Sequence, residues 1–224
     1  MPRTGAAARP DLEERAQNLL EWAELHSKQL TIVAVAIIAI AGGVWFYQKS
    51  HQARTRNASA ALAQAEQAVG AGNLALAQSD LDKIVSRYGG TVPGKQAILV
   101  LAQVLYDRGQ YAQGIQQLQK LVDSDDAYLR AGALNLIGAG YEQQAKYADA
   151  AASYRKAADA TAYPADRDQY LASAARALTS AGKTAEAKEI WSKLAADPTS
   201  PTAAEARVRL GEIEAKAARS GAGD

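Results

Sequence analysis

GQYAQGIQQLQKL, residues 109–121, has three counterparts in the same chain: GNLALAQSDLDKI from Gly72, AKYADAAASYRKA from Ala145 and GKTAEAKEIWSKL from Gly182. The starts are 37, 36 and 37 residues apart. Five positions after each start stands a small residue: Ala77, Gly114, Ala150 and Ala187. Nine positions after stands a large one: Leu81, Leu118, Tyr154 and Trp191. Twelve after stands Ile84, Leu121, Ala157 or Leu194. These offsets fall on one face of an α-helix. The small position lets a second helix approach closely, and the larger ones fill the space beside it.

A second helix pattern precedes each of these. In the third unit Leu134, Ile137, Gly138 and Tyr141 stand at i, i+3, i+4 and i+7. Together with Tyr147, Ala150, Tyr154 and Ala157 they resemble the tetratricopeptide (TPR) signature at nearly every marker. Pro164 falls where that signature ends its second helix, displaced by two. Ala65, Ala102 and Ala175 replace Gly138 in the other units, and Leu105 and Leu178 replace Tyr141 in the second and fourth. The first unit departs most, with Ala61, Gln64 and Ala68 at three large-residue positions. A generic helical bundle is the competing architecture, but bundles repeat in heptads and not with a period near 36.

The expectation is an all-α fold, a TPR-like solenoid of about four helix pairs over 58–219. The units run about 58–91, 95–128, 131–164 and 168–201. A capping helix over 204–217, with Leu210 and Gly211 in register, closes the open end, and 220–224 is a disordered tail. The residues beyond the family's 34-residue period are assigned to connecting loops, at TVPG (91–94) and around Tyr163–Arg167.

The composition agrees. Helix formers dominate, with one Phe and six Pro in 224 residues, which argues against a sheet of any size. The absence of cysteine excludes disulfides, thiolate metal sites and cysteine nucleophiles. A net charge of +1, with the signs interspersed, lacks the basic stripe of a nucleic-acid binder.

LTIVAVAIIAIAGGVWFY, residues 30–47, carries no charge across 18 positions. As a helix at ~1.5 Å per residue it reaches about 27 Å, close to the ~30 Å hydrocarbon core. Trp45 and Tyr47 sit at one end, and Lys28 and Lys49 flank it. A cleaved signal peptide places its apolar run nearer the start, and an amphipathic surface helix needs a charged face. The run is therefore expected to span a membrane as an uncleaved anchor. Residues 1–29 form an N-terminal segment with a helix over 11–28, carried by Leu12, Ala16, Leu19, Leu20 and Ala23. Residues 48–57 form a basic juxtamembrane segment. Arg15 and Lys28 on one side, against Lys49, Arg54 and Arg56 on the other, lean towards a cytoplasmic repeat domain.

Nothing points to catalysis. His26 and His51 lie on opposite sides of the run, about 37 Å apart along one helix. No HExxH, GxSxG or GxxxxGK[ST] occurs. Asp123, Asp125 and Asp126 lack the glycine and distal glutamate of a calcium loop and read as a solvated turn. No enzyme activity, cofactor or metal is expected.

In TPR proteins the first helix of each unit lines a peptide groove. The resemblance places Leu62, Glu66 and Val69 there from unit one, and Leu99, Gln103 and Tyr106 from unit two. Asn135, Ala139 and Glu142, then Ala172, Arg176 and Thr179, follow from units three and four. Only Asn135 and Arg176 suit an acidic peptide terminus, and Glu66 and Glu142 oppose it. A peptide or amphipathic helix without strong negative charge fits better.

One anchor followed by about four such units, with WFYQKSHQARTRNASAAL between them, resembles the ancillary SecYEG translocon subunit family, the YfgM-like proteins. That resemblance implies a bacterial inner-membrane protein with a cytoplasmic N-terminus and periplasmic repeats, against the weak charge count. It implies translocon subunits, periplasmic chaperones and emerging unfolded segments as protein partners. An envelope-assembly or cell-division platform is the alternative.

Overall fold

The computed structural model describes residues 25–221; the side chains of Ser27, Leu30, Val33, Ala34, Ser220 and Gly221 are not described. Nearly all of the helix expected over 11–28 lies outside the described residues, as do residues 222–224. The chain divides into two compact units, Met1–Ala53 and Arg54–Asp224.

In the first unit, helix α1 (Ser27–Gly70) begins and absorbs the expected juxtamembrane segment without a break. Ile32, Val35, Ile37, Ile38, Ile40, Val44, Trp45, Phe46 and Tyr47 are all exposed on it. Among the described residues no helix is long and apolar enough to cross a membrane. The expected span 30–47 includes three of the residues whose side chains are not described.

The second unit is an all-α, TPR-like solenoid. The end of α1 pairs with α2 (Leu74–Tyr88). Helices α3 (Val92–Asp107) and α4 (Tyr111–Leu118) form the second pair, with a 3-10 turn at Gln119–Leu121. Helices α5 (Ala127–Gln143) and α6 (Tyr147–Ala160) form the third, α7 (Pro164–Ser180) and α8 (Thr184–Ala196) the fourth. Helix α9 (Ala203–Gly221) follows. The described residues hold nine α-helices and no strand.

Each pair is reversed by one turn. Gly72, Gly109 and Gly182 have φ of 73–76°, and Ala145 has φ of 56°. In all four turns the next residue's N–H returns to a carbonyl five residues back: Asn73 to Ala68, Gln110 to Leu105, Lys146 to Tyr141 and Lys183 to Leu178, at 2.8–2.9 Å. This is the Schellman arrangement, which satisfies the last carbonyls of a helix and needs a left-handed residue. Glycine adopts that conformation at no steric cost; Ala145 does not.

The periodic positions are buried as their spacing requires. Ala77, Gly114, Ala150 and Ala187 are covered, and so are Leu81, Leu118, Tyr154, Trp191, Ile84, Leu121, Ala157 and Leu194. The core is a series of three clusters. One joins α1 and α2 to α3, one joins α3 and α4 to α5, and one joins α6, α7 and α8 to Ala206 of α9. Each helix pair thus covers its neighbour, as a solenoid must.

Two loop assignments are corrected. TVPG is not a connecting loop: Thr91 caps α3, its hydroxyl accepting from Gly94 N–H at 3.1 Å, and Val92–Gly94 form the first turn. Gly94 is required there because a Cβ would strike the Tyr88 carbonyl. Likewise Tyr163 caps α7 and Pro164 opens it, so that proline begins a first helix and does not end a second. The extra residues lengthen the first helices, which start at 92, 127 and 164 where the repeats suggested 95, 131 and 168. The end of α9 at Gly221 also reaches into the expected tail.

Gly138 admits the ring of Tyr154: a Cβ there would lie 2.6 Å from Tyr154 Cε1. Gly138→Ala is therefore expected to lower stability by about 1–3 kcal/mol. Ala145→Gly removes a left-handed alanine and should raise stability by about 0.5–1 kcal/mol, net of the entropy glycine adds to the unfolded chain. Urea denaturation of the two variants checks both signs.

Candidate peptide-binding groove

The groove positions fall into three columns. Leu62 and Ala172 are buried, and Leu99 and Asn135 are half-buried. Glu66, Gln103 and Arg176 are exposed, with Ala139 half-buried among them. In the third column Val69, Tyr106 and Glu142 are half-buried and Thr179 is exposed. Leu62 and Leu99 pack with the core clusters, because residues in that column face the neighbouring helices. The surface left to a ligand is centred on an acid, an amide, a methyl group and a base.

Tyr106 joins two pairs. Its ring fills the space above Gly114 of α4 and Gly140 of α5, where added Cβ atoms would overlap it. Its hydroxyl donates to the Leu136 carbonyl at 3.0 Å. Burial is the main cause that pushes its pKa well above the ordinary tyrosine value. Sequence spacing marks Gly114 but not Gly140; the signal for the latter is a second glycine two residues after Gly138.

Tyr154 does the same within the third pair. It passes beneath Gly138 and its hydroxyl donates to Glu142 Oε2 at 2.7 Å. Burial, then the bond to Glu142, raises its pKa. Glu142 is thus held by its own chain.

Arg176 is also engaged. Its Nη1 reaches both carboxylate oxygens of Glu205 on α9 at 2.8 Å, and Nη2 donates to Ser173 Oγ at 2.9 Å. Arg209 lies 3.7 Å from Glu205 and 3.0 Å from Glu212. Such part-exposed pairs contribute about 0–1 kcal/mol each, so they orient the side chains more than they stabilise the fold. With Arg176 paired in this way, Asn135 has no free cation beside it from the expected set, and an acidic terminus has no clamp there.

Two cavities accompany the helices. One of ≈ 660 Å³ lies among the 3-10 turn, α5 and α6, lined by Asp123, Arg130, Tyr141, Ser153, Lys156 and Asp159 among others. Another of ≈ 260 Å³ lies among α7, α8 and α9, lined by Arg176, Thr179, Ser180, Trp191, Arg209, Glu212 and Ile213. Trp191 Nε1 and Gln110 Oε1 are buried without a hydrogen-bond partner among the described residues. Such a group carries a penalty of about 1–3 kcal/mol. Asp126, from the acidic turn, caps α5 by accepting from Tyr128 and Leu129 N–H at 3.0 and 3.2 Å. Among the described residues no group of three or more His, Asp or Glu is placed to hold a metal.

Residues 21–191 match the model of the tetratricopeptide repeat-like domain family. The chain belongs to that family. The solved structures it resembles include the nearly identical TPR-like repeats of a kinesin light chain from Podosopora anserina, at a TM-score of 0.59 and 16% identity. That likeness covers 75% of this chain and 90% of the other. A single-substitution variant of the same repeats gives the same figures. No curated protein matches. The TPR-like fold typically serves protein–protein interaction and not catalysis, so a scaffold that binds protein partners is the function the fold supports.

Folded, Tyr106 and Tyr154 hold their protons more tightly than unfolded tyrosine does, whose pKa is 10.0. Above that value the unfolded chain releases protons first, so stability falls as pH rises, and it is intact below. Tyr154→Phe and Tyr106→Phe should each cost about 1 kcal/mol at neutral pH. Each should also flatten the alkaline loss, read from urea midpoints between about pH 8 and about pH 11.

Proposed function

We propose that this protein is a membrane-anchored interaction scaffold at the Sec channel. It holds a TPR-like solenoid on the outer side of a bacterial inner membrane and recruits chaperones or emerging chains there. The observation that carries this reading is the direct succession of the uncharged run 30–47 and the solenoid within one helix, Ser27–Gly70. Apolar side chains are exposed all round that part of α1, which a water-facing helix does not sustain. Lys49 stands 4.8 Å over the Trp45 ring, placing a cation and an indole together at the end of the run, where both suit headgroups. The resemblance of residues 45–62 and of the repeats to YfgM-like proteins supports the Sec channel as the site, and translocon subunits and periplasmic chaperones as partners. The exposed column Glu66, Gln103, Ala139 and Arg176 is of mixed sign and suits an uncharged or weakly amphipathic segment.

Topology is the test. Asp125 is exposed in the turn before α5. Its neighbour Ser124 is buried and its hydroxyl accepts from Asp126 N–H, so Asp125 is the better reporter position. Asp125→Cys introduces the chain's one thiol. A membrane-impermeant maleimide applied to cells with a permeable outer envelope should label it before lysis. Labelling only after lysis places the repeats in the cytoplasm, agrees with the charge count and rejects the Sec-channel role.

A further inference from the structure

The repeats can be compared with each other at the polar tip of the large residue in each second helix. In the third pair that residue is Tyr154, and its hydroxyl finds Glu142 on the first helix at 2.7 Å. In the first and second pairs it is Leu81 or Leu118, with no polar tip. In the fourth it is Trp191, fully buried, and its indole N–H has no acceptor among the described residues. The register explains why. The residue of the fourth pair that stands where Glu142 stands in the third is Thr179. Its side chain is shorter, and its hydroxyl donates to the Ala175 carbonyl at 2.9 Å.

Where the third pair has a carboxylate, the fourth has a cavity. Trp191, Thr179 and Arg176 all line it, and two of these are groove positions. Its ≈ 260 Å³ is room for one side chain, against ~30 Å³ for a water. Nearby charges are balanced: Arg176 and Arg209 are engaged by Glu205 and Glu212. A carboxylate entering would meet Glu212 and compete with Glu205. A neutral amide meets no such opposition. Its oxygen can accept from Trp191 Nε1–H, and its N–H can donate to the remaining lone pair of Thr179 Oγ1 or to Glu212.

We propose that this cavity is a subsite for a carboxamide, the side chain of a glutamine or asparagine in a bound polypeptide. The proposal rests on reading the first-helix wall as a polypeptide-binding surface, and names the chemistry that one part of it selects. An acceptor supplied by the ligand takes the place that Glu142 fills in the third pair.

The test reads the indole directly, in the full chain in detergent micelles labelled with ¹⁵N-tryptophan. Its three indole signals are assigned with Trp22→Phe and Trp45→Phe. Titration with N-acetylglutamine amide should move the Trp191 indole proton downfield, saturably, and leave the other two in place. N-acetylglutamate amide should bind at least about tenfold more weakly. Thr179→Glu, which restores the third pair's acceptor, should move the Trp191 proton without ligand and abolish the response to the amide. A Trp191 signal indifferent to both probes overturns the proposal, as does a carboxylate that binds as well as the amide. The probes act on the unaltered chain, so neither outcome depends on how Thr179→Glu folds. No partner protein takes part, so failure here leaves the scaffold reading standing, and a cytoplasmic topology leaves this subsite standing.

Discussion

The solenoid depends on one repeated constraint: a chain that leaves a helix must turn back within three residues and still satisfy that helix's last carbonyls. A single left-handed residue does both at 72, 109, 145 and 182. Because the reversal is the same each time, the second helix returns at the same angle and phase. The small residue five positions on then meets the first helix of its pair, and the large residue four further on passes beneath it. Repeating the turn repeats the pair, and the pair repeats the surface.

Within that frame the core is distributed. Three clusters each straddle the join between neighbouring pairs, so the solenoid has no single centre. Tyr106 and Tyr154 show how the joins are made particular. Each ring occupies space opened by glycine, and each hydroxyl reaches a carbonyl or carboxylate on a first helix. The same side chains reach the candidate groove from below. Packing and the binding surface therefore share residues, and a substitution made to probe one perturbs the other.

The groove departs from a uniform wall for the same reason. One column of positions is packed against neighbouring helices, and in another the ionic side chains are engaged by the chain itself. Arg176 is tied to Glu205 of the terminal helix, so α9 acts on the groove as well as covering the last core cluster. What stays open is a narrow column and, at its far end, a cavity that a buried indole lines.

Much of this is legible in the residues. The period near 36, the small and large positions, the four reversals and the closing helix all follow from local patterns that a helix pair imposes wherever it is read. Helix starts are less so. Thr91 and Tyr163 stand before prolines and read as linkers, yet both begin helices, because proline fits a first helical turn as readily as a loop. Sequence alone thus determined the architecture, since spacing and turn residues act within one or two pairs. Tertiary structure alone decided which groove residues are free. Whether Glu142 meets a tyrosine, Arg176 a glutamate, or Trp191 nothing depends on side chains 12 to 29 residues away, and no local period encodes those distances.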